Sequence, residues 1–152
     1  MPNIPLLLSL LPIVLYWIIF FHFAYNVNYI AFDDTLILSI LPAFEAATLY
    51  EKWKLLSNLF PEHRLVFSRS VVLSTYKIWG KVDLTHLMIV ANLCYTACLY
   101  VFYKAFRSLN LSIWYFVPIA WVWLSIQAFD NMFWGVSSLC DFGVLLFTTN
   151  AL

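Results

Sequence analysis

Apolar residues fill the chain from Ile4 to about Asn28, and the first 32 residues hold no Asp, Glu, Lys or Arg. A membrane-crossing helix needs about 20 mainly apolar residues, so this stretch predicts a first span at about 4–28. Pro5 and Pro12 fall inside it, which membrane helices tolerate when neighbouring groups satisfy the freed carbonyls. His22, near its end, reads as an interfacial group. No basic segment or small-residue cleavage site accompanies it, so it reads as a retained anchor rather than a signal peptide.

Two carboxylates follow at once, Asp33 and Asp34. The next run, Thr35 to Phe44, is too short to cross a bilayer and predicts a helical turn or a re-entrant piece. From Glu45 the period changes. Ala46, Leu49, Tyr50, Trp53, Leu56 and Phe60 recur every three or four residues, opposite Glu45, Glu51, Lys52 and Lys54. That is an amphipathic helix over about 45–60. A second covers about 62–80, after Pro61 at a helix start and before Gly80. Its stripe is Leu65, Val72, Tyr76 and Trp79, with Glu62, His63, Arg64, Arg69 and Lys77 as the polar complement. Both helices are expected to lie flat in the membrane interface, with Lys77 and Lys81 reaching toward headgroups.

Three closely spaced apolar runs follow, predicting spans at about 84–106, 110–129 and 132–152. Lys104 and Arg107 close the first, Asp130-Asn131 marks a short turn, and Asp141 interrupts the last. The fold expected is therefore all-α and integral to a membrane: four spans in one membrane domain, with two interfacial helices in the first loop. The chain stops inside an apolar run, which reads as a fragment of a longer protein.

Composition supports the same class. Hydrophobic residues make up 64% of the chain and charged residues 11%, against about 25% charged in a soluble domain. Eight basic residues balance eight acidic ones, which removes the basic surface that nucleic-acid binding needs. Cys94, Cys98 and Cys140 lie in apolar runs without a C-x-x-C pair, so neither a disulfide framework nor a zinc site is indicated.

Candidate chemistry comes from the charges. Asp33 or Asp34 could act as a base, and two adjacent carboxylates repel, which raises one pKa. The alternative is that one of them caps the run starting at Thr35. Arg64 and Arg69 could meet a phosphate, because a guanidinium presents a bidentate fork, with Glu62 and His63 beside them. The alternative is an ordinary solvated first turn. Asp141, an ionisable group inside a span, implies function or a buried partner.

The ordered set resembles the N-terminal part of GT-C-type integral membrane glycosyltransferases. It is closest in pattern to bacterial multi-spanning proteins with an acidic pair after the first span. The matching pieces are Phe32-Asp33-Asp34, Glu62-His63-Arg64 with Arg69, and Asp130-Asn131 with Trp134-Gly135. The resemblance implies sugar transfer from a polyprenyl-phosphate donor at a bacterial inner membrane. The first loop would lie on the non-cytoplasmic side, with Asp33 or Asp34 serving as base or helping to place a divalent cation or the acceptor. It also implies a chain several times longer. The other expectation is a small non-enzymatic membrane subunit packed on a larger partner.

Overall fold

The computed structural model describes residues 4–30, 34–60 and 63–151. The chain is all-helical, apart from two two-residue strands. Helix α1 spans Ile4–Ala24, α2 Asp34–Leu38, α3 Ile40–Ala46 and α4 Leu49–Ser57. Strands β1 (Leu59–Phe60) and β2 (His63–Arg64) pair antiparallel, Leu59 with Arg64 and Phe60 with His63. Helices α5 (Val66–Trp79), α6 (Leu84–Ser108), α7 (Phe116–Trp123), α8 (Phe129–Met132) and α9 (Gly135–Asn150) complete it, with short 3-10 turns before α7 and α8.

Among the described residues, two helices are long and apolar enough to cross a membrane, α1 and α6. This corrects the expectation of four. The run at 110–129 is broken: α7 ends at Trp123, and Ser125 is extended (ψ 156°). The run at 132–152 is broken where Trp134 is extended (ψ 99°), leaving the 16 residues of α9. At 1.5 Å per residue α9 is about 24 Å long, short of a core about 30 Å thick. A count of apolar residues does not register these breaks.

α1 buries one stripe, Ser9, Pro12, Tyr16, Phe20 and Ala24, at near-four-residue spacing. Leu7, Leu11, Val14 and Ile18 are among its exposed apolar residues. The buried stripe meets α6, where Tyr16 donates its hydroxyl hydrogen bond to Asn92 Oδ1. Asn92 is fully buried, and its Nδ2 donates to Met88 O (2.8 Å) and Met132 O (2.9 Å). One amide thus ties α1, α6 and α8 together.

α6 and α9 run in the same direction. Leu84 packs on Gly135 at their starts, Tyr95 stacks on Phe142 with ring centroids 4.4 Å apart, and Thr149 reaches Cys98 at 3.8 Å. α5 runs back along α9 rather than lying apart from it. Its end packs against the start of α6 (Trp79 on His86, 4.6 Å), and Ser68 meets Cys140 at 3.3 Å. The approach is close enough that a Cβ on Gly143 would sit 2.5 Å from the Phe67 ring.

The two predicted amphipathic helices therefore change shape. The first, 45–60, divides into the end of α3, the separate α4, and β1. The second, 62–80, narrows to α5, and its buried face is Ser68, Arg69, Val72 and Thr75. Arg69 moves from the polar side to the inside, and Trp79 is exposed. Helix α4 buries no residue, so Leu49, Tyr50 and Trp53 remain uncovered by protein.

Replacing Asn92 by Ala removes the donor to Met132 and the acceptor for Tyr16. Two buried polar groups then lose their partner, so stability should fall by about 1–3 kcal/mol. Denaturant unfolding in detergent measures this; an unchanged midpoint would mean that the amide is not a tie.

Candidate functional site

The ends of the helices organise the charged residues. A helix leaves its first N–H groups and last C=O groups unpaired, and away from water each needs a partner. α4 begins with a capping box, in which Thr48 N donates to Glu51 Oε2 (2.8 Å) and Glu51 N to Thr48 Oγ1 (3.5 Å). The bonds from Thr48, backbone first, hold the Glu51 carboxyl below its ordinary range. α5 ends on Gly80, whose φ of 69° suits a residue without a side chain. α6 begins on Asp83, which accepts from Thr85 N (2.9 Å), while Asn28 accepts from Leu84 N (3.2 Å).

α9 starts without help from its own sequence, since Trp134 makes no side-chain cap. The cap arrives from 102 residues away: Val136 N donates to Asp34 Oδ1 at 2.9 Å. Asp34 is fully buried. A carboxylate at a helix N-terminus is favoured by the N–H bond and by the helix dipole together, which offsets part of its desolvation. Asp34 stands at the start of α2, so the same bond fixes that short helix against α9.

Arg69 does the complementary work. It is 8% exposed, and its Nη1 donates to three carbonyls at the end of α4: Leu55 (3.0 Å), Leu56 (3.2 Å) and Asn58 (2.7 Å). A cation at a helix C-terminus has the favourable sign. Burial pulls the guanidinium pKa below its ordinary value, opposed by the nearby Cys140. Arg stays charged under these conditions.

Asp34 and Arg69, two of the sequence candidates, thus lie near the first half of α9. Asp34 contacts Val136, and Cys140 lies within electrostatic range of Asp34, Arg69 and Asp141. Beside the start of α9, a cavity of about 380 Å³ is lined by Val27 and Tyr29 after α1 and by Phe129, Asp130, Phe133, Trp134 and Gly135 around α8. Asp130 is exposed there. A wider opening of about 610 Å³ lies against α6 and α7, lined by Tyr95, Pro118, Val122 and Trp123 with Ser125 and Gln127 at one side. It is mainly apolar and gathers no charged group.

The other sequence candidates fall elsewhere. Asp33 and Glu62 lie outside the described residues, as do the side chains of His63 and Arg64, whose backbone forms β2. Asp141 is exposed on α9. Among the described residues, no three of His, Cys, Asp and Glu come close enough to hold a metal ion. Sequence reasoning missed Asn92, Asn28 and Tyr95, which are polar groups inside or beside apolar runs; a search for Asn within the predicted spans would have found the first. No family model, curated protein or solved structure matches the chain.

Asp34→Ala should lower stability by about 2 kcal/mol, because a charge-assisted bond and its helix cap vanish together. Arg69→Met keeps the length of the side chain and leaves three carbonyls without their donor, so a loss of similar size is expected. Thermal unfolding of both variants is the check, and wild-type midpoints for both would show that these contacts do not hold the fold.

Proposed function

We propose that the chain is a membrane-embedded part of a GT-C-type glycosyltransferase, acting on a polyprenyl-phosphate-linked sugar. α1 and α6 cross the bilayer in opposite directions, and the loop between them occupies the non-cytoplasmic side of a bacterial inner membrane. The uncovered Leu49, Tyr50 and Trp53 of α4 then rest among headgroups, where aromatic side chains with one polar end are favoured.

The observation that supports this reading is the cavity where the segment after α1 meets Asp130 and Trp134. Pockets that take organic ligands are mostly apolar and aromatic, with a few placed polar groups. Aromatic walls with one exposed carboxylate suit a sugar or its acceptor. Asp130 takes the base role there: it removes the proton of the acceptor hydroxyl as that oxygen bonds to the anomeric carbon. The bond from that carbon to the lipid phosphate breaks, and the phosphate leaves with the electron pair. Asp34, fully buried with its Oδ1 accepting from Val136 N, serves as a positioning residue for the cavity wall.

A second reading, a small non-enzymatic membrane subunit packed on a larger partner, draws on one specific observation. Asp34 and Arg69 are both committed to helix ends.

Sugar transfer from radiolabelled polyprenyl-phosphate hexoses, measured in membranes that hold the protein, separates the two. Asp130→Asn should cut transfer at least about 100-fold, the range for loss of a general base, with the unfolding midpoint unchanged. Transfer at the wild-type rate would sink the base assignment and leave the subunit reading.

A further inference from the structure

Lys104 and Arg107, near the end of α6, are two cations that neither helix capping nor the proposed chemistry uses. Both are exposed. α6 closes through its own backbone, where Leu109 N donates to Phe106 O (3.1 Å) and Asn110 N to Arg107 O (3.2 Å). Neither cation therefore does what Arg69 does for α4. Lys104 Nζ lies 6.0 Å from the centre of the Tyr100 ring. Among the described residues, neither cation makes a hydrogen bond or an ion pair. Their surroundings supply no acid either. Residues 1–32 and 84–129, which include α1, α6 and α7, contain no Asp or Glu. α1 runs antiparallel to α6, with Asn28 at Leu84 and Tyr16 at Asn92, so its start lies toward this end.

The level of these cations is set by α6 itself, one of the two helices able to cross a membrane. Residues 84–103 hold no Asp, Glu, Lys or Arg. That length of helix is about 30 Å, the thickness of a hydrocarbon core. Leu93, Tyr100, Lys104 and Arg107 follow at helical spacing on one face. Leu93 is 54% exposed and Tyr100 62%. The face thus runs from apolar to aromatic to cationic, as a bilayer runs from its core to its phosphates. Trp114 and Tyr115, just past the helix, are exposed as well.

We propose that this end of α6 binds the headgroup of an anionic phospholipid, with the phosphate held by Lys104 and Arg107 and an acyl chain along Tyr100 and Leu93. The inference rests on the membrane reading above, and not on the sugar chemistry. A guanidinium presents two parallel donors to phosphate oxygens, and an ammonium adds a compact charge. The apolar residues in line with the cations favour a phosphate that carries a hydrocarbon tail over a soluble anion. A zwitterionic headgroup brings its own cation beside the phosphate, so it gains less from two bases that no carboxylate neutralises.

The test titrates the full chain, in detergent micelles, with phosphatidylglycerol or phosphatidylcholine and counts bound lipid by native mass spectrometry. Wild-type protein should hold phosphatidylglycerol about tenfold more tightly, the scale expected for two basic residues at a lipid surface. Lys104→Gln combined with Arg107→Gln should bring the two affinities together, with the unfolding midpoint unchanged. Lys77→Gln combined with Lys81→Gln, on exposed residues of the first loop, should leave the preference intact. Equal wild-type affinities, a preference that survives the first pair, or one that is lost with the second pair, each overturns the proposal. So does displacement of the lipid by an equal concentration of inorganic phosphate, since the site would then serve a soluble anion. A separate arm checks the premise: Leu93→Cys should resist a water-soluble maleimide in vesicles and react in detergent, above the wild-type background. Full labelling in vesicles overturns the membrane reading and the inference with it. Protection without a lipid preference overturns the inference alone.

Discussion

Helix ends that must be satisfied away from water govern this molecule. Each end exposes N–H or C=O groups that an apolar environment does not hydrate, and a chain with 11% charged residues has few polar groups to spare. The bond from Val136 N to Asp34 is the clearest case. It closes a loop of about a hundred residues, starts α9, and sets α2 beside it. Without that anion, the N-terminus of α9 would present its positive end to buried side chains. Arg69 mirrors it at the negative end of α4, reaching three carbonyls with one nitrogen. The sign of each charge matches the end it serves, as the helix dipole requires.

The same bond shapes the candidate site. Because α9 starts at Gly135, pressed on Leu84 and held by Asp34, the chain before it must turn sharply. That turn places Asp130, Phe133 and Trp134 opposite Val27 and Tyr29. The cavity is thus a consequence of where α9 begins. Asn92 acts one layer deeper, since its amide holds the carbonyl of Met132 and fixes the end of α8 relative to α1.

Much of this is legible in the sequence. The charge-free opening reads as a long apolar helix, and α1 is one. The run from Leu84 reads as a helix and ends close to the expected boundary. The sequence picks out Asp34, Arg69 and Asp130 as polar positions to watch, and in the structure Asp34 and Arg69 serve helix ends while Asp130 lines the cavity before α9. Their tasks are less legible. Asp34 and Arg69 read as a base and a phosphate ligand, because a sequence shows residue type and spacing but not which distant helix end lacks a partner. Periodicity places Arg69 outside, whereas three carbonyls draw it inward. The breaks at Ser125 and Trp134 are hidden for a related reason: neither Gly nor Pro marks the extended residue, and apolar content alone reads through it. Asn92 escapes notice because one amide barely alters the apolar character of its helix.

The bond between Asp34 and the start of α9 is tested most directly by hydrogen exchange, resolved by residue, at the Val136 amide in detergent micelles. Wild-type protein should protect this amide strongly. Asp34→Ala should expose it, with exchange at least about tenfold faster at Val136, and with α6 still protected around Asn92. Exchange at Val136 that is as slow in Asp34→Ala as in the wild type would contradict the account, because α9 would then hold its first turn without the carboxylate.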